Sequence, residues 1–416
     1  MIKLWQTYGN KAIVLLDQAL VSGISFLLSV FLVRLLGIHV FGEFAIILIV
    51  TQGIVAINQS IVTSPFQSLF AQSQFPNYIK KLKGLQSLVL ILFLMIIVLF
   101  EFVTRVFHIE IVDLPILLFS IYFVGVVLFD FNRKQLYLQK KYIFCLLKDI
   151  CSTFGQLVFL GLAVYTQKLD SLSDVLLILG SCLMLVEGVV FFAVSPPNSP
   201  SLSLIKTHWG FGKWMLGNSI LQWFSGNFFI TTGALIIGAE VAGIIRIGQS
   251  IIGVWNVFIQ ALENYVPPVA ALIFKKNGLR SLRTYLLNIT VKGGVLISSV
   301  ALVLVLFKNL IWETIYGLEF IDYTFILYWF GPILILNFLG FPLRFAIRTL
   351  NKTQVLFEAY VISSLLGFTT AHLFVYSFGI HGICLGLLLT QAVMQIWYSY
   401  RLYKFKKYEN HPYSIG

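Results

Sequence analysis

Charge is scarce in this chain. Charged residues make up 11% of the 416, where a soluble domain carries about 25%. No hydrophilic run is long enough to form a domain outside a membrane, and hydrophobic residues reach 58% with a mean hydropathy of +0.90. A polytopic membrane protein follows. Cysteine is sparse as well: Cys145, Cys151, Cys182 and Cys384 have neither metal-ligand spacing nor an obvious disulfide mate. The six histidines are scattered, and the chain contains no phosphate-binding loop and no nucleophile elbow. These absences argue against an enzyme, against a metal or other cofactor and against ATP-driven transport by this chain alone. Acids are few, 17 against 29 bases, giving a net charge of +12. The bases lie in short loops between apolar stretches, so the excess needs no nucleic acid to explain it.

A bilayer core takes about 20 apolar residues per helix. That rule gives twelve spans: 12–34, 44–66, 85–104, 112–131, 149–166, 174–194, 214–237, 241–264, 286–307, 323–344, 353–376 and 379–400. The first is long and lacks a small-residue cleavage site after it, so it reads as a retained span. Basic residues then sort by side. Lys80, Lys81 and Lys83, Arg133 to Lys148, Lys206 and Lys213, Lys275 to Arg283, Arg344 to Lys352 and the tail from Arg401 share one side. The other side holds Arg34, Arg105, Lys168 and Lys308 among many acids. The positive-inside pattern places both termini in the cytoplasm.

Pro196, Pro197 and Pro200 forbid a continuous helix in the longest linker, Ser195–Gly212. They divide the chain into an N-terminal six-helix lobe with its connecting loop (1–200) and a C-terminal six-helix lobe with a short tail (201–416). The halves resemble each other. Leu35-Leu36-Gly37 and Gly42 correspond to Ile236-Ile237-Gly238 and Gly243. Pro65 closes span two and Pro267-Pro268 close span eight, each followed by a basic loop containing Gly84 or Gly278. Leu138 to Lys141 after span four matches Leu350 to Thr353 after span ten. Six spans per half make the repeats parallel, as in carriers whose two bundles rock about a central cavity.

Span eight carries the most polar face. Arg246, Gln249, Gly253, Asn256, Gln260 and Glu263 follow at steps of three and four, which aligns them on one helical stripe. Unpaired polar groups cost several kcal/mol in hydrocarbon, so the stripe faces other helices or a wet cavity. Gln18, Ser22, Ser25 and Ser29 on span one, and Asn218, Gln222 and Ser225 on span seven, form lesser stripes; span two offers Gln52 and Gln59. Packing of small residues is the plainer account of the serines. Asp17, Glu187 and Glu263 are acids at membrane depth. A buried unpaired carboxylate takes up a proton readily, so these three are candidates for ion coupling. Lys11 and Lys213 start spans one and seven, where they could flank an entrance, with Arg344 and Arg348 beside it. Arg34 ends span one, where snorkelling to headgroups is its plainer role. Arg and Lys together suit a phosphate.

The run Leu32-Val33-Arg34-Leu35-Leu36-Gly37, followed by Phe41-Gly42-Glu43-Phe44, resembles the start of oligosaccharide flippases of the polysaccharide transporter family. That family lies in the multidrug/oligosaccharidyl-lipid/polysaccharide exporter superfamily. The resemblance implies a flippase that moves undecaprenyl-pyrophosphate-linked oligosaccharide repeat units from the cytoplasmic to the outer leaflet of a bacterial inner membrane, for O-antigen or capsular polysaccharide. It also implies polysaccharide polymerase and chain-length proteins as partners beside the membrane lipids. Three rivals remain: an ion-coupled drug/cation antiporter of the same superfamily, which would want an acid-rich cavity; a lipid II flippase, which would usually carry further C-terminal spans; and a passive scaffold. The outer loops are too short for a membrane glycosyltransferase.

Overall fold

The computed structural model describes residues 2–69, 77–106, 115–194 and 196–409. Side chains of Lys11, Asn256 and Gln260 lie outside the described set. Among the described residues every regular element is helical: α1 (Ile2–Asn58), a π-helical turn (Gln59–Thr63), α2 (Ser64–Leu69), α3 (Tyr78–Val106), α4 (Ile116–Leu138), α5 (Tyr142–Tyr165) and α6 (Leu172–Val194). Then come α7 (Leu202–Ile236), α8 (Ala239–Gly253), α9 (Asn256–Leu306), α10 (Lys308–Ile315), a 3₁₀ segment (Leu318–Phe325), α11 (Ile326–Thr349) and α12 (Gln354–Glu409).

Three long helices are each two crossings joined at a glycine. Gly37 in α1, Gly278 in α9 and Gly379 in α12 have φ of 75°, 75° and 57°. A residue with a Cβ adopts such values only with strain, so glycine turns the chain there without a loop. Eight described stretches are long and apolar enough to span a bilayer. Dividing Ala12–Ser68, Tyr265–Leu306 and Gln354–Phe405 at these glycines, and adding the more polar α7, gives twelve crossings, with α8 and the start of α9 forming the eighth. The protein is therefore an all-α polytopic membrane protein, as the hydropathy implies.

The chain packs as two compact units, Met1–Leu28 with Ile47–Ile220, and Ser29–Ile46 with Leu221–Gly416. In the first, α6 packs against α4 and α5. In the second, α11 packs against α9 and α12. The repeat is written in the backbone. Gly37 and Gly238 both take positive φ, 75° and 129°, at the turns after spans one and seven. The ends of α4 and α11 share one cap: Lys141 N–H donates to Leu136 and Lys140 N–H to Tyr137, as Lys352 donates to Ile347 and Asn351 to Arg348. Within the second unit Gly42 and Gly243 lie against each other. A Cβ on Gly243 would come 3.0 Å from Gly42 Cα, and one on Gly42 would strike the Ala239 carbonyl.

The prolines correct one expectation. Pro65 does not close span two, and Pro267-Pro268 do not close span eight. The helix runs through Pro65 to Leu69, and both later prolines lie inside α9. Pro65 lacks the N–H that would bond the Ile61 carbonyl. The π-helical turn Gln59–Thr63 just before it absorbs the mismatch, and His208 of α7 takes up the freed carbonyl at 3.3 Å. The linker also proves shorter than expected, because α7 begins at Leu202. Asn198 N–H bonds the Lys80 carbonyl at 2.9 Å, which fastens the linker to the start of α3.

Candidate functional site

Four helices of the first unit meet in a chain of alternating charges. Arg133 of α4 reaches Asp17 of α1 with Nη2 and Asp149 of α5 with Nε, each at 2.7 Å. Lys148 Nζ lies 2.5 Å from Asp149 and 2.8 Å from Glu187 of α6. The order is Asp17, Arg133, Asp149, Lys148, Glu187. The three carboxylates and Lys148 are buried, and the Arg133 side chain is 15% exposed. Glu187 is held by three donors: Lys148, Ser152 at 2.6 Å and Asn132 at 2.9 Å. Asp17 accepts from Arg133 and from the Tyr137 hydroxyl, both on Oδ2. Its Oδ1 is buried and has no hydrogen-bond partner among the described residues.

Charge arithmetic gives this chain its chemistry. With every group ionised, three carboxylates face two cations, which leaves one negative charge in excess. An uncompensated buried charge costs several kcal/mol. The Oδ1 of Asp17, buried and without a donor among the described residues, is the open position at this end of the chain. Cys145 Sγ lies 3.8 Å from Asp149 and shares a neighbourhood with both aspartates. The guanidinium already occupies the two carboxylates, which disfavours a divalent metal among them.

Beside this chain lies a second polar group in the same unit. Gln59 of the π-helical turn donates to Asp130 at 3.1 Å, and Asp130 pairs with Lys134 at 3.0 Å. Both charged side chains are about one-fifth exposed, at 21%. π-Helical turns recur at functional sites because they present side chains out of ordinary register. Asn58 and Gln86 close the turn's inner side with two reciprocal amide bonds of 3.2 and 3.0 Å.

The second unit carries the Arg246 stripe. From Val241 to Ile251 the side chains of α8 are buried, except those of Arg246, Gln249 and Ser250, which are half-buried. The polar stripe is thus the open face of this helix. Arg246 Nη1 donates to Gln249 at 3.4 Å, and the Ser250 hydroxyl bonds the Arg246 carbonyl at 2.9 Å. The stripe does not continue as one unbroken helix, since α8 ends at Gly253 and α9 restarts at Asn256. Glu263, further along, is exposed.

Other expected residues divide. Asp17 and Glu187 stand at the two ends of the charge chain. Gln18 joins it by accepting from Arg133 at 3.2 Å. Gln52, Lys213 and Gln222 are exposed and Asn218 half-buried, outside that chain. Arg34 donates to the Thr314 carbonyl at 2.7 Å in the last turn of α10, where the helix dipole favours a cation. Arg133 and Lys148 were legible only as cytoplasmic loop charges, because spans four and five were drawn too short, and Asp149 stood at the first position of span five. α4 runs on to Leu138 and α5 begins at Tyr142, so all three are helical. The spacing of Lys148, Ser152 and Gln156 on one face of α5 is the signal that could have placed them inside.

The sequence matches no protein-family model and shows no significant similarity to a curated protein. Solved structures do match by fold. An inward-facing multidrug resistance MATE family transporter of the MOP superfamily aligns with TM-score 0.70 and 13% identity, over 94% of this chain and 96% of that one. The lipid II flippase MurJ in an inward closed conformation aligns with TM-score 0.68 and 12% identity, over 93% and 86%. A MOP superfamily transporter from Pyrococcus furiosus, described by the reverse polarity of its binding pocket, aligns with TM-score 0.55 and 14% identity, over 95% and 96%. Across nearly its whole length, then, this chain has the twelve-helix, two-lobe fold of MOP-superfamily transporters and flippases.

Proposed function

We propose that the protein is an ion-coupled flippase that carries undecaprenyl-pyrophosphate-linked oligosaccharide repeat units from the cytoplasmic to the outer leaflet of a bacterial inner membrane. The observation that carries this reading is Arg246. It stands on the half-buried face of a helix whose other faces are buried, with amide and hydroxyl neighbours. A cation so placed suits an anionic headgroup such as a pyrophosphate, through its bidentate fork. Amides at Gln249, Gln52 and Gln59 are suited to sugar hydroxyls, and Asn256 and Gln260 continue the same stripe in the sequence. Lys11, Lys213 and Arg34 are the remaining cationic candidates along the path. The halves 1–200 and 201–416 act as the two lobes of an alternating-access cycle, with both termini in the cytoplasm.

The charge chain supplies the coupling. Asp17 takes up the ion, Glu187 anchors the far end, and Glu263 is a second candidate at the cytoplasmic end of the Arg246 stripe. Binding at Asp17 alters the charge facing Arg133 and can thereby favour one arrangement of α1, α4 and α5 over another. The fold likeness to MurJ, a lipid II flippase, supports this reading. The likeness to a multidrug transporter and the acid-ended charge chain favour the second reading, an ion-coupled drug/cation antiporter. Both readings dispense with catalysis. Polysaccharide polymerase and chain-length proteins are the partners we expect in the first.

A leaflet assay separates them. In a strain lacking the protein, labelled lipid-linked repeat units should accumulate on the cytoplasmic face. The intact protein should relieve this, and Arg246→Ala should not, although it reaches the membrane in normal amount. Normal outer-face delivery without the protein, in a strain with no redundant carrier, would discard the flippase reading.

A further inference from the structure

Within the second unit, α9, α11 and α12 form a groove of about 760 Å³. Its α9 wall has Phe274 before the turn at Gly278 and resumes one residue after it. Leu279, Leu282, Arg283 and Leu286 recur there at steps of three and four, which puts a leucine stripe and a cation on one helical face. Leu282 and Leu286 are buried in a cluster with Phe345, so this wall is backed by a packed core. Lys352, just past the end of α11, is the other cation of the lining. Its Nζ lies 5.5 Å from the centre of the Phe405 ring, above the apolar surface. Arg283 and Lys352 are both exposed, and neither forms an ion pair among the described residues. Basic groups crowd this end of the unit: Lys275, Lys276, Arg280 and Arg348 are close in sequence to the lining. The same asymmetry marks it as the cytoplasmic end, where the leaflet is anionic.

We propose that this groove binds an anionic phospholipid of the cytoplasmic leaflet, with an acyl chain along the leucine stripe and its phosphate between Arg283 and Lys352. An apolar lining topped by cations without carboxylate partners is complementary to a chain ending in a phosphate. The lining favours a phospholipid over a sugar-bearing carrier, because among the described residues Thr290, Ser399 and Tyr403 are its only uncharged polar side chains. The site is separate from the Arg246 stripe and does not depend on what the protein transports.

The test uses the full-length protein, delipidated in detergent, with retention of added phosphatidylglycerol or phosphatidylcholine read by native mass spectrometry. Wild type should retain phosphatidylglycerol preferentially. Each of Arg283→Gln and Lys352→Gln should weaken that retention about fivefold, and the pair roughly thirtyfold, with phosphatidylcholine unchanged. Leu287→Trp, which fills the groove from an exposed position, should reduce retention of both lipids. Thermal midpoints equal to wild type will show that the exposed substitutions leave the fold intact. Equal retention of the two lipids by wild type, or full retention by the double variant or by Leu287→Trp, would overturn the proposal. Displacement of phosphatidylglycerol by an equimolar amount of undecaprenyl phosphate, sensitive to the same two substitutions, would instead give the groove to the carrier lipid and overturn it too. Transport is not read in any arm, so failure of the flippase reading would leave these results standing.

Discussion

Lys148 is the residue on which the buried charge chain turns. It sits between Asp149 and Glu187 with its side chain only 1% exposed. Removing one partner of a buried pair strands the other, at a cost of about 3–5 kcal/mol. Lys148→Met should therefore lower the thermal midpoint sharply. The double variant Lys148→Met/Glu187→Gln removes one charge of each sign and should recover much of the loss. A double variant no better than the single would show that the two side chains are not coupled. Asp17 gives the functional counterpart. If its vacant oxygen carries the coupled proton, transport by wild type depends on pH and transport by Asp17→Asn does not, because the amide is neutral throughout. The variant should also lose about a hundredfold or more in rate, the scale of one lost positioned proton-transfer group. A pH profile that keeps its shape in Asp17→Asn would remove Asp17 from the coupling scheme and leave Glu263 to be tested.

At the scale of elements, glycines and one histidine decide where helices break and meet. Gly42 and Gly243 pack so closely that a Cβ on Gly42 has no room and one on Gly243 is tight. Gly42→Ala drives a methyl into the Ala239 backbone and should cost about 1–3 kcal/mol, while Gly243→Ala, facing only Gly42 and the Ile38 carbonyl near 3.0 Å, should cost less. Thermal midpoints of the purified variants rank the two. The π-helical turn has a different support. With a neutral ring, His208 Nδ1 donates to the Ile61 carbonyl and Nε2 accepts from the Tyr78 hydroxyl at 3.0 Å. His208→Phe keeps the volume and removes both hydrogen bonds, and the Ile61 carbonyl left unpaired costs about 1–3 kcal/mol. Pro65→Ala in the same background restores the N–H that the Ile61 carbonyl lacks. It should recover part of that stability; no recovery would mean that the proline does not set the turn.

For the whole molecule, orientation is the testable consequence of charge asymmetry. Single cysteines introduced at Lys206 and at Asp170 into a cysteine-free background should label from opposite sides of the membrane, Lys206 from the cytoplasm. Labelling of both from one side would refute the twelve-span topology. That topology could be read from the sequence because each crossing must bury its own backbone polar groups, so a run of about 20 apolar residues settles the matter locally. The glycine turns at 37 and 238 were legible for the same reason: positive φ is a local steric demand. Helical spacing alone put Arg246 and Gln249 on one face of α8, whereas the half-buried Ser250 beside them was not part of that stripe. The charge chain was not legible. Asp17, Arg133, Asp149, Lys148 and Glu187 come from four helices, and no spacing along one of them says that a cation on α4 meets acids on α1 and α5. Sequence placed Arg133 and Lys148 among loop charges, which is where an unpaired cation would have to be. Only the tertiary packing supplies the carboxylates that let both enter the protein interior, since a buried charge is tolerable only beside its partner. The same holds for Pro65, whose helix-breaking tendency is intrinsic but is overridden by a carbonyl acceptor satisfied from α7, a neighbour 147 residues away in the chain.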